Sequence, residues 1–152
     1  LIENAGLTRD EMSMQRIRRW VRENPKRMRE LLNTNPNFVF FEERVGMGEA
    51  DGPLGAQAVP LTPGASVAVD RRYWKLGVPF VTEVTQDNPA MAFARPVIAQ
   101  DTGGAIRGVI RFDYFWGFGD IAGAQAGRQK SRAHAWVLVP RGMKPSDIMT
   151  AR

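Results

Sequence analysis

The chain has 152 residues, 43% of them hydrophobic and 24% charged, with 15 glycines, 10 prolines and no cysteine. That size fits one domain able to bury roughly 70% of its unfolded surface; the glycine and proline content exceeds what a helical bundle tolerates, and the lack of cysteine excludes disulfides, thiolate metal sites and a cysteine nucleophile. A formal net charge of +5 implies attraction to a polyanion (nucleic acid, acidic lipid or bacterial wall polymer) or merely a soluble basic surface.

In chain order, the first third predicts two helices. Thr8-Arg9-Asp10-Glu11 has the capping-box pattern. Met14, Ile17 and Val21 recur at helical spacing, with Trp20 beside the stripe and Arg16, Arg18, Arg19 and Arg22 mainly off it. Asn24-Pro25 begins a second helix, Asn as its cap and Pro at the first helical position. Met28, Leu31 and Leu32 supply its buried side, and Asn35-Pro36 ends it. The arginines suit a solvated helix face better than nucleic acid, because no nucleic-acid motif accompanies them. No apolar run reaches the length of a membrane span. No signal peptide is present and the chain begins with Leu1, so a processed chain or a fragment of something longer is expected.

From Phe38 the texture becomes strand-like. Phe38-Val39-Phe40-Phe41, Ala56 to Leu61, Ser66 to Val69, Val78 to Val84, Pro96 to Ala99, Gly108 to Phe112 and Ala135 to Val139 are strand candidates. Glycine and proline turns separate them, which predicts a small barrel or sandwich. One short helix is expected near 120–129, where alanines and glycines allow close packing.

Several chemistries lack their residues. The lone histidine, His134, has no serine in a nucleophile elbow to partner it, and one His with scattered carboxylates gives no metal spacing. It reads as a surface or packing residue. No glycine-rich stretch has the context of a nucleotide loop. Asp101-Thr102-Gly103 matches the aspartic-protease tripeptide, but one copy would require a dimer to share a proton between two aspartates.

What remains is Gln100-Asp101-Thr102-Gly103-Gly104 followed by Arg111-Phe112-Asp113-Tyr114-Phe115-Trp116-Gly117-Phe118-Gly119. Two carboxylates bracket a glycine turn, and aromatic rings crowd the second. Such rings stack on the apolar face of a sugar while polar groups bind its hydroxyls. Residue types alone leave this open against a plainer reading, slightly favoured, in which the aromatics fill a core and the aspartates cap turns.

A longer ordered series then stands out: Asn35-Pro36 with Phe38 to Phe41, Gly55-Ala56, Val59-Pro60-Leu61-Thr62-Pro63-Gly64, Ser66 to Asp70, Ala99 to Ile106, Asp113 with Phe115 to Gly119, Ala122-Gly123, Ala126-Gly127 and Trp136-Val137-Leu138. From Phe38 to about Pro140 this resembles the C-terminal part of the membrane-bound lytic murein transglycosylase A family, and the leading helices with Asp10 to Gln15 look like the segment before that family's barrel. The resemblance implies a mainly β fold: a six-stranded double-psi β-barrel over 37–152, incomplete where upstream residues are missing, preceded by a helical lead-in over 1–36 from a missing upstream domain. It implies cleavage of the β-1,4 bond between N-acetylmuramic acid and N-acetylglucosamine, leaving a 1,6-anhydromuramoyl end.

The resemblance also implies that Asp113 is the single catalytic acid and base, with Asp101 nearby and Asp70 more architectural. Gly103, Gly104, Tyr114, Phe115 and Trp116 are the expected substrate contacts, with Gly117 and Gly119 also letting backbone approach the glycan. No cofactor, metal or nucleic acid is expected. The partners are peptidoglycan strands and the upstream domain of the same protein. The location is the periplasmic face of the outer membrane, reached through a lipid anchor outside an otherwise soluble chain. The acid role requires Asp113 to be protonated, expected from burial beside Phe112, Tyr114, Phe115 and Trp116 and from Asp101 close by. Full solvation of Asp113, or a bond from it to an arginine, would oppose that expectation. A noncatalytic glycan-binding module on the same barrel is the alternative.

Overall fold

The computed structural model describes residues 13–36, 40, 43, 45, 46, 48 and 51–150. The chain divides into two compact units, Leu1–Gly46 and Met47–Arg152. In the first unit, α1 spans Met14–Glu23, a 3-10 turn Pro25–Arg27 and α2 Met28–Leu32. The capping box at Thr8 to Glu11 lies outside the described residues. Ser13 caps α1 instead, its hydroxyl accepting from the Arg16 amide at 3.2 Å. Asn24 does not cap the second helix as expected. Its side-chain amide donates back to the Trp20 carbonyl at 2.9 Å and closes the end of α1. The second helix is also tighter and shorter than expected, and its Met28 and Leu32 are exposed. A helix of little more than one turn cannot present a continuous buried stripe.

The second unit is built on β1 (Ser66–Val69), β2 (Pro79–Gln86), β3 (Met91–Asp101), β4 (Phe112–Tyr114) and β5 (Arg132–Val137). These form a single sheet in the order β4-β1-β3-β2-β5. Only the β1–β3 pair is parallel among them, with Val67 opposite Ala99 and a bulge between Val67 and Ala68. Two helices follow β4 and β5: α3 over Gly119–Arg128 and α4 over Pro145–Ile148.

Alternation decides the core face. Val67 and Val69 of β1, Phe80 of β2, and Val97 and Ala99 of β3 cluster with Val78, and Trp74, Phe112, Tyr114 and Val137 pack against them. Phe80 takes edge contacts from Trp74 and Phe112, with ring centroids 5.0 and 5.1 Å away. The sheet is strongly curled. Across a flat sheet, β4 and β2 would stand about 14 Å apart with two strands between them. Yet the Tyr114 hydroxyl lies 3.1 Å from the Thr82 hydroxyl. The result is a half-barrel wrapped around its own apolar face.

Among the described residues the sheet has five strands. The candidate strand at Phe38 to Phe41 lies outside them except for Phe40. Ala56 to Leu61 is not a strand but a tight loop joined by one bridge, Leu54 to Pro60. Backbone packs on backbone there: a side chain at Gly52 would meet the Leu61 carbonyl oxygen. Gly108 to Phe112 is mostly a turn, in which the Arg111 amide donates to the Gly108 carbonyl and Gly108 has φ +116°. Strand pairing starts only at Phe112, opposite Val69. Phe80→Ala removes the largest fully buried side chain and should destabilise this unit by about 3–5 kcal/mol, read as a lowered urea midpoint with an unchanged slope.

Candidate functional site

The end of β1 fixes the geometry. Asp70 is buried, and the Arg72 guanidinium donates to both of its oxygens, with the closest contact 2.6 Å. The Arg72 amide donates at 3.1 Å and the Gly108 amide at 2.8 Å. The Arg72 side chain, followed by burial and these amides, governs this carboxyl, and the net effect holds it well below the usual carboxylate range. Asp70 thus ties the turn before β4 to the strand that β4 pairs with. Trp74 reinforces the tie by donating from Nε1 to the Val109 carbonyl at 2.7 Å.

On β1, Ala68 pairs with Asp101 of β3 on one side and with Asp113 of β4 on the other. The two aspartates therefore flank one small residue, about 10 Å apart between Cα atoms. Asp101 accepts from the Ala56 amide at 3.0 Å, which holds the loop that precedes β1. Thr102 donates to the Val69 carbonyl at 2.9 Å, so the Asp-Thr-Gly segment is bound into the sheet.

Asp113 departs from expectation. It is not buried among aromatic rings; its side chain is 44% exposed and Arg111 grips it in a fork, Nε to one oxygen and Nη2 to the other at 3.3 Å. The bond to Asp113 pushes the Arg111 guanidinium above its usual range. Arg111 closes the turn just before β4, so the entry to the strand that carries Asp113 delivers its arginine. The neighbouring rings instead pack with one another. Tyr114 and Trp116 each meet Phe93 edge-on, at 5.4 and 5.7 Å. Burial pushes the Tyr114 phenol upward, partly offset by its bond to Thr82.

These residues line a cleft of about 420 Å³. Asp113, Tyr114 and Trp116 form one part of its wall with Arg111, and Gln129, Lys130 and Ser131 after α3 form another. Trp116 donates from Nε1 to the Gln129 side chain at 2.8 Å, which joins the two parts. Gln86 in turn accepts from the Lys130 amide and the Ser131 hydroxyl, fixing the segment after α3 to β2.

Of the other residues expected to touch substrate, Phe115 is spent on structure. Its backbone bonds to Gly64 and Ser66, and its ring meets Phe118. Gly103 packs on Ile106, while Gly104 has open space around it. Gly117 needs φ +108° and sits against Pro63, so it makes the turn after the aromatic segment. His134 is exposed on β5. Arg111, Thr82, Gln129, Lys130 and Ser131 were not expected as site residues; for Arg111 the signal was its spacing of two from Asp113. Among the described residues no cluster of His, Asp and Glu could hold a metal ion. No helix among them is long and apolar enough to cross a membrane.

Residues 65–139 match the family model described as the 3D domain, which places the half-barrel in that class. Residues 1–42 match the MltA specific insert domain. The membrane-bound lytic murein transglycosylase A of Vibrio cholerae is 37% identical over 145 residues, covering 91% of this chain and 38% of that protein. The MltA crystal structure from Neisseria gonorrhoeae superposes with a TM-score of 0.80 at 42% identity, covering 93% of this chain and 36% of that one. The structure of Escherichia coli MltA with bound chitohexaose gives a TM-score of 0.74 at 36% identity, covering 90% and 41%. Over nine-tenths of its length the chain is thus similar to the membrane-bound lytic murein transglycosylase A family. It spans about two-fifths of the length of the curated relatives it matches.

The depressed Asp70 fixes the sign of one pH effect. Its stabilising contribution is full above the unfolded carboxyl value of about 3.9 and fades as pH falls below it. Asp70→Asn should therefore lower the melting temperature most at neutral pH, and the gap to wild type should narrow steadily as pH falls below about 4.

Proposed function

We infer that this chain is the aspartate-bearing portion of a peptidoglycan lytic transglycosylase. It cleaves between N-acetylmuramic acid and N-acetylglucosamine and leaves a 1,6-anhydromuramoyl end. The observation that carries this reading is the cleft: one aspartate beside three aromatic residues, with Thr82, Gln129 and Ser131 as neutral hydrogen-bonding groups and Arg111 and Lys130 as cations, a surface suited to a sugar. The chitohexaose bound to the E. coli relative supports a glycan as occupant.

In this reading Asp113 protonates the glycosidic oxygen as the bond breaks and then accepts the C6 hydroxyl proton as the anhydro ring closes. The muramoyl sugar supplies its own nucleophile, so the second carboxylate of ordinary glycosidases has no task. Holding that hydroxyl within the substrate favours ring closure over attack by water. Tyr114 and Trp116 supply stacking surface and Gly104 an accessible backbone. Asp101 and Asp70 act through the loops they hold.

A sixth strand from the longer protein completes the half-barrel as a double-psi β-barrel over 37–152, with 1–36 leading in from the upstream domain. A lipid anchor outside this chain places it at the periplasmic face of the outer membrane.

One observation favours the alternative, a noncatalytic glycan-binding module. The Arg111 fork pairs Asp113 as an anion, whereas an acid must carry a proton. A zymogram on purified peptidoglycan separates the two. The enzyme reading expects anhydromuramoyl products from wild type and a loss of at least about a hundredfold in Asp113→Asn. Retained glycan binding without products from wild type would leave only the module.

A further inference from the structure

In peptidoglycan the muramoyl carboxyl is amide-linked to a peptide stem. The stem's second residue, a glutamate joined onward through its side chain, keeps a free α-carboxylate. We propose that Lys130 is a specificity residue that pairs with this stem carboxylate, so that the cleft selects muramoyl sugars that still carry an acidic peptide. The proposal rests on the reading that a peptidoglycan strand occupies the cleft, and it makes no use of a proton on Asp113.

The charge balance of the cleft is the first support. Among the described residues three charged side chains line it, Arg111, Asp113 and Lys130. Arg111 directs its fork at Asp113, which leaves the Lys130 ammonium as the surplus charge. No carboxylate among the described residues lies within ion-pair distance of it. A neutral glycan leaves that charge unmatched, whereas an acidic branch on the glycan matches it.

The way Lys130 is held is the second. Its amide donates to the Gln86 side-chain oxygen at 2.6 Å, and the Ser131 hydroxyl donates to the same oxygen at 2.9 Å. From its other end Gln86 donates to the Arg128 carbonyl at 3.0 Å and to the Pro89 carbonyl at 3.1 Å. One side chain of β2 thus clamps the backbone on both sides of Lys130. With the root of the cation fixed in advance, binding has only the lysine side chain left to order, which lowers its cost.

Position is the third. Gln129, the preceding residue, accepts from Trp116 Nε1 at 2.8 Å, so Lys130 starts one residue from the group that holds a stacking ring. A sugar on that ring carries its stem as a side branch. Two extended stem residues span about 7 Å, and lysine presents a compact charge on a flexible four-carbon arm to meet such a branch.

The test compares two muramoyl tripeptides. One is N-acetylmuramoyl-L-alanyl-γ-D-glutamyl-L-lysine, and the other is the same compound with the glutamyl α-carboxylate converted to an amide. They share sugar, length and shape and differ by one charge. Binding to the full chain is followed by NMR titration at low salt. Wild type should bind the carboxylate form about threefold tighter, within the range of an exposed charge pair, and the preference should shrink in about 1 M salt. Lys130→Gln should abolish the preference by weakening the carboxylate form alone, and Lys130→Arg should retain it. The Lys130 side chain is exposed and the bond to Gln86 runs through its backbone, so neither variant disturbs the fold. Equal wild-type affinities, or no binding of either tripeptide, would overturn the proposal. A preference that persists in Lys130→Gln would do so as well, by assigning the carboxylate to Arg111. Loss of both ligands alike in that variant would mark a structural role and count equally against it. Because this readout needs no turnover, a Lys130-dependent preference without anhydromuramoyl products would reject the enzyme reading and leave stem recognition standing. Products with no preference would do the reverse.

Discussion

A buried carboxylate at the end of β1 organises this fold. Asp70 satisfies its charge with one arginine and two backbone amides, and one of those amides belongs to Gly108, just before β4. Removing a charge from water is tolerable only with such complete pairing. The consequence is positional. β4 is three residues long and pairs with β1 alone among the described strands, so its placement depends on what anchors its start. Asp70 and Trp74 provide that anchor on one side, and Gly117 against Pro63 provides the turn on the other.

Curl converts that anchoring into a cleft. In a flat sheet Tyr114 and Thr82 would belong to different neighbourhoods; here their hydroxyls meet. The aromatic face of β4 is thereby shared between core and cleft. Phe112 and Tyr114 both pack on the core and reach the cleft, and Trp116, just beyond β4, extends the cleft wall. The side chains of Gln86 and Gln129 then join strand, helix end and aromatic wall through neutral hydrogen bonds.

Much of this was legible in the sequence, for identifiable reasons. β1, β2, β3 and β5 sit where branched and aromatic residues alternate between glycine and proline turns, and α3 lies where small residues cluster. The failures have physical causes. Ala56 to Leu61 has strand-like composition, but close backbone packing at Gly52 bends it into a loop. Asn24 carries cap chemistry, yet a side-chain amide can donate as well as accept, and here it closes the preceding helix. Asp113 was expected to be buried because aromatic residues adjoin it in sequence. Neighbours in a strand alternate faces, so adjacent rings do not enclose it, and the residue two positions back does reach it. Arg111 was visible all along; its meaning depended on the turn that sets it at the entry to β4.

The pairings that build the cleft also impose an order on its assembly. β2 and β3 join through a short turn, so their antiparallel ladder closes with little loss of chain entropy. The bond from Gly108 to Asp70 must close 38 residues, and that between Tyr114 and Thr82 must close 32. Contacts of that span form slowly and yield nothing until the intervening chain is ordered. A chain that has folded only its hairpin would therefore carry a recognisable sheet and no cleft, and the cleft itself becomes a signal that the whole half-barrel has closed.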